Sequence, residues 1–74
     1  MKPASRKRSI SLTSREKEIL QLLAEGNSNK EVAQSLGISI RTAETHRAAI
    51  MRKFGVDSIA GLVRSAIRNR LIEP

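Results

Sequence analysis

Residues 28–54 read SNKEVAQSLGISIRTAETHRAAIMRKF, and the turn Gly37-Ile38-Ser39 inside them is the diagnostic piece. Ahead of it, Ser28-Asn29-Lys30-Glu31 is a capping box: the serine hydroxyl can accept an amide three residues on, and the glutamate can reach back. Val32, Ala33 and Leu36 give that short helix its buried side, and Gly37 ends it. Behind the turn, Ser39 is the next N-cap. The pattern predicts a helix from about Ile40 to Lys53, closed by Gly55. Two helices joined by a short turn, with a glycine for backbone freedom and Ile38 to pin the corner, have the spacing of a helix-turn-helix. Short-turned helix pairs are common in small α proteins, so the spacing alone leaves other helical folds open.

Working outward, Thr13-Ser14-Arg15-Glu16 is a second capping box. Ile19, Leu20, Leu22 and Leu23 follow as an apolar stripe, and Gly26 supplies a left-handed stop. This is a helix over about 14–25. Ser58 caps a fourth, over about 59–70, carrying Ile59, Leu62, Val63, Ala66 and Ile67. No segment alternates with period two, so no sheet is expected. The expected fold is all-α: a compact four-helix bundle containing a helix-turn-helix, over 12–74. Residues 1–11 (MKPASRKRSIS) are polar, basic and aperiodic. They read as a flexible arm, a linker remnant or an added end.

The net charge is +7, and its layout is uneven. Lys2, Arg6, Lys7 and Arg8 meet no acid in the arm, residues 12–37 are near balance, and residues 38–74 hold seven Arg or Lys against Glu44, Asp57 and Glu73. A polyanion is the natural partner of such a layout, although positive charge also serves plain solubility. With no cysteine and one histidine, disulfides, thiolate metal sites and multi-histidine metal sites are excluded. No cofactor is implied. Phe54 is the sole aromatic residue, too few for a stacking platform for single strands. No apolar run reaches the length of a membrane span, and the start lacks the apolar core of a signal peptide. A soluble, cytoplasmic protein is expected.

A helix that reads DNA buries one face and offers the other to base edges. At about 100° per residue, Ala43, His46, Ile50 and Phe54 fall on the core side of the third helix. Arg41, Glu44, Thr45, Ala48 and Arg52 fall opposite. Thr45 and Ala48 are short enough for close approach, while Arg41 and Arg52 reach out. Arginine pairs with guanine, a carboxylate accepts from cytosine N4, and Thr or Ala touches a thymine methyl. Glu44 would add nothing to a helix that only gripped phosphate. A solvated face of mixed charge has the same composition, so geometry alone leaves both readings open. At the start of the second helix, Ser28, Asn29 and Lys30 combine free amides with a positive charge, a phosphate site in form; Lys30 as an ordinary surface lysine is equally open. His46 lies at the core edge, within reach of a phosphate. No Ser, Cys or carboxylate constellation accompanies it, and an enzyme is not expected.

Leu12-Thr13-Ser14-Arg15-Glu16, Gly26-Asn27-Ser28-Asn29-Lys30-Glu31-Val32-Ala33, Leu36-Gly37-Ile38-Ser39 and Thr42-Ala43-Glu44-Thr45-His46 together resemble the LuxR-type helix-turn-helix domain. The run from Arg41 to Lys53, followed by Leu62-Val63-Arg64-Ser65-Ala66-Ile67-Arg68, is most similar to the FixJ branch, the output domains of bacterial two-component response regulators. The resemblance spans about 12–70. It implies a sequence-specific regulator of transcription that sets its third helix in the major groove of double-stranded DNA. It implies base contacts by Arg41, Glu44, Thr45 and Ala48, and backbone contacts by Ser28, Asn29, Lys30, Thr42 and Arg47. His46 and Arg52 join the backbone set from their places on the helix. The family pairs two domains on DNA through helix four, which here has an apolar arc of roughly 140°. Ile59, Val63 and Ile67 on its edge are the candidates for a homodimer surface; a well-buried helix would look the same. RNA polymerase is a further implied partner.

Four positions depart from the family pattern. Ala43 replaces the usual valine, leaving less volume under helix three, and Phe54 replaces a leucine. Ile40 stands for a common proline and Ile59 for a frequent arginine. Two rivals share the fold. Region four of a sigma factor also joins Leu-Thr-x-Arg-Glu to a helix-turn-helix and would bind only with core RNA polymerase. A protein-interaction module on the same fold would bind with little dependence on salt.

Overall fold

The structure, a computed structural model, describes residues 10–72. It contains α1 (Ser14–Ala24), α2 (Asn29–Leu36), α3 (Ile40–Phe54) and α4 (Ile59–Arg68), and no strand among the described residues. The four expected helices are all present. Lys2, Arg6, Lys7 and Arg8 of the basic arm lie outside the described residues, as do the last two residues of the 12–74 unit.

Each helix starts on a hydroxyl that satisfies an otherwise orphaned amide. Thr13 Oγ1 accepts from the Glu16 amide at 3.0 Å, and Glu16 Oε1 accepts from the Thr13 amide at 2.9 Å. Ser28 and Glu31 repeat the exchange at 3.1 and 2.7 Å. Ser39 and Ser58 cap α3 and α4 by accepting from the amides of Thr42 and Gly61. The helix-turn-helix corner depends on Gly37 at φ +67°, a left-handed conformation that costs an L side chain about 1–2 kcal/mol. It lets the Ile38 amide donate back to the Ala33 carbonyl at 3.0 Å.

The exit from α4 departs from expectation. Its helical pattern was expected to run to about residue 70 but stops at Arg68. Asn69 caps it, Arg70 turns left-handed at φ +60°, and the Leu71 amide donates to the Ala66 carbonyl at 2.9 Å. This is a Schellman closure with arginine where glycine is usual. It turns the chain back, so that Ile72 is buried in the core, which the helical period did not indicate.

The core joins Ile19, Leu20 and Leu23 of α1, Val32 and Ala33 of α2, Ala43 and Ile50 of α3, and Leu62 and Ala66 of α4. Phe54 and Ile38 pack against it, half-buried. A domain this small has a thin margin of stability, so polar ties count. Lys53 Nζ, at the end of α3, donates to Glu16 Oε1 at 2.7 Å and to the Ser11 carbonyl at 3.0 Å. Glu16 is buried, and the Lys53 ammonium together with the Thr13 amide lowers its carboxyl pKa. No described helix is long and apolar enough to cross a membrane.

Candidate functional site

The outward arc of α3 is as the period predicts. Arg41, Glu44, Thr45, Ala48 and Arg52 are exposed, while Ala43 and Ile50 beneath them are fully buried. His46 and Arg47 are half-buried along the edge. The helix is therefore anchored on one side and open on the other. Its charges are also uncommitted: among the described residues, Glu44, Arg41, Arg47 and Arg52 take part in no ion pair. An exposed carboxylate engaged in no ion pair, on a face otherwise polar or basic, keeps its accepting capacity for an incoming donor.

Hydroxyl groups on this face have defined roles. Thr45 Oγ1 donates to the Arg41 carbonyl at 3.0 Å, so its O–H is turned back into the helix. What Thr45 offers outward is its methyl group and a lone pair. Ser39 Oγ donates to Thr42 Oγ1 at 2.9 Å while accepting from the Thr42 amide. Thr42 accepts there, which leaves its own O–H to donate elsewhere.

The start of α2 supplies the second part. Ser28 and Glu31 occupy each other's amides. The amides of Asn29 and Lys30, in the first turn, have no intrahelical acceptor, and the Lys30 side chain is exposed beside them. These are the ingredients of an anion site at a helix end. Tertiary packing brings this end to α3: Asn29 lines a shallow open groove with Glu44, Arg47, Ala48 and Met51. Asn29 and the α3 candidates Glu44, Arg47 and Ala48, 15 residues or more from it in sequence, thus border one surface. Met51 was not singled out from the sequence. As a half-buried apolar position it gave no polar signal.

Helix α4 lies apart from this groove. Ile59, Val63 and Ile67 are half-buried and packed against the core, each keeping part of its surface open. They follow one another at every fourth residue, which places them along one side of the helix.

Comparison with known proteins gives a consistent picture. Residues 10–66 match the sequence model of the bacterial regulatory proteins of the luxR family, GerE type. The transcriptional regulatory protein MctR of Rhizobium johnstonii is 48% identical over 61 residues, which make up 82% of this chain and 28% of that protein. The crystal structure of ChrA, the response regulator of a heme-sensing two-component system, superposes with a TM-score of 0.81 at 43% identity, over 92% of this chain and 33% of that one. The transcription factor GerE superposes with a TM-score of 0.79 at 33% identity, over 89% of this chain and 97% of that one. The chain thus spans less than a third of MctR but nearly all of GerE.

Proposed function

This chain belongs to the luxR family of bacterial regulatory proteins, and we propose that it binds double-stranded DNA sequence-specifically as a regulator of transcription, the output domain of a two-component response regulator. The observation that carries the proposal is the outer face of α3. Arg41, Glu44, Thr45 and Ala48 stand exposed on a helix whose opposite side is fixed in the core. In this reading α3 enters the major groove, where Arg41 donates to a guanine, Glu44 accepts from a cytosine amino group, and Thr45 and Ala48 allow close approach.

The backbone contacts fix register rather than sequence. The Asn29 and Lys30 amides, the Ser28 cap and the Lys30 ammonium receive one phosphate beside the groove. The Thr42 hydroxyl, His46, Arg47 and Arg52 reach others along the two strands. The arm over 1–11 adds positive charge ahead of the 12–74 domain. A second copy binds an adjacent half-site through Ile59, Val63 and Ile67 of α4, and RNA polymerase is the further partner. The reading carries a cytoplasmic location with it.

Selection of bound sites from random duplexes, followed by sequencing, tests it. The expected result is one short motif, repeated at a fixed spacing that reflects the pairing of two domains. Recovery of no motif overturns sequence-specific binding, and a single unrepeated motif overturns the dimer.

A further inference from the structure

Ile40 is the one large hydrophobic side chain exposed among the described residues, at 45%. It is not one of the buried residues of the core cluster, and nearly half of its surface is open to an incoming partner. A single surface hydrophobe is ordinary, but this one has an unusual position. It is the first residue of α3, the end that a helix-turn-helix turns toward base edges. Ile40, Glu44, Arg47 and Met51 are spaced by four, three and four residues, one line along the helix, and the last three line the groove beside α2. Its immediate neighbours are polar or charged: Ser39, Arg41 and Thr42.

We propose that Ile40 is a specificity-determining residue whose side chain meets the C5-methyl group of a thymine in the major groove. The inference rests on the reading of α3 given above. A polar and basic surface suits a polyanion better than an apolar protein partner. The major groove presents one apolar group on its base edges, the thymine methyl. Isoleucine is also branched at Cβ and stiff about χ1, so little side-chain freedom is lost on contact.

Replacing thymidine by deoxyuridine removes only that methyl. Each dT of the selected half-site is replaced in turn by dU, and affinity is measured for the wild-type chain, Ile40→Ala and Ile40→Val. One position should cost the wild-type chain about fourfold, the equivalent of ~0.8 kcal/mol for one buried methylene-sized group. Ile40→Ala should bind the dT and dU forms of that position alike, while Ile40→Val keeps part of the difference. Sites selected by Ile40→Ala should lose the preference for thymine there. A penalty at another thymine that persists in Ile40→Ala belongs to Thr45 or Ala48; if every dU penalty persists in Ile40→Ala, or none appears anywhere, the assignment is overturned. If Glu44→Ala still alters base preference in that case, the reading of α3 stands without Ile40. If neither substitution has an effect, both fail together.

Discussion

Lys53 Nζ donates at 2.7 Å to Oε1 of Glu16, the same oxygen that accepts the Thr13 amide. One buried carboxylate atom therefore caps α1 and ties the end of α3 to it, across a separation of 37 residues. A third link, from Lys53 to the Ser11 carbonyl, fixes the chain as it enters the domain. The orientation of α3 relative to α1 is held by this contact as well as by the apolar core.

Substitution of Glu16 should separate the two roles. Glutamine can still accept at the helix start but loses the charge, so Glu16→Gln should cost about 1 kcal/mol. Glu16→Ala removes the cap as well and should cost about 2 kcal/mol. Urea denaturation at neutral pH measures both. Equal losses would show that the charge is immaterial.

The same pair gives a pH dependence. The Lys53 ammonium first, then the Thr13 amide, hold the Glu16 carboxyl below its ordinary value of 4.5. A depressed carboxyl stabilises the fold above its unfolded pKa, and that contribution is lost as pH falls through the folded value. Stability should therefore fall on acidification below about pH 4.5, and less steeply in Glu16→Gln. Parallel stability curves for the two chains would contradict this.

Arg70 occupies a left-handed position in the turn after α4. Glycine removes the steric penalty and costs some entropy in the unfolded chain. Arg70→Gly should raise stability by about 0.5–1 kcal/mol net, seen as a higher midpoint in thermal unfolding. A lower midpoint would mean that the arginine side chain supplies a stabilising contact.

Glu44→Ala should relax base preference at one position of the half-site, costing about 1–3 kcal/mol of discrimination. Thr45 behaves differently, because its O–H proton is already donated to the Arg41 carbonyl and cannot be given to a base. Thr45→Val keeps the outward methyl and should preserve preference, whereas Thr45→Ala should relax it. Identical selected motifs from Glu44→Ala and the wild-type chain would remove Glu44 from the base-reading set.

Lys30→Ala should weaken binding to all duplexes about equally and flatten the plot of log affinity against log salt by about 0.9, the value for one phosphate contact. A loss confined to one sequence would contradict a backbone role. Binding that ignores salt altogether would favour a protein-interaction module.

The helices and their starts were legible because their causes are local. A hydroxyl and a glutamate three residues apart announce Thr13 and Ser28 as caps, and a 3.6-residue period separates Ala43 and Ile50 from Arg41, Glu44, Thr45 and Ala48. The exit of α4 came about two residues before the expected end because no glycine follows Arg68 to mark the stop: the closure uses Asn69 and a left-handed Arg70 instead. Periodicity reports which side of a helix is greasy, and it does not report where the backbone leaves the helical path.

The four helices, the turn at Gly37 and the polar arc of α3 were readable from the chain alone, since each follows from residues within a few positions of one another. Three features emerge only in the folded molecule: Lys53 pairs with Glu16, Asn29 borders the groove of Glu44 and Ala48, and Ile72 closes the core. Those are meetings between distant segments. They depend on how the helices cross, which is set by packing side chains against one another in three dimensions, and no spacing along the chain encodes that directly.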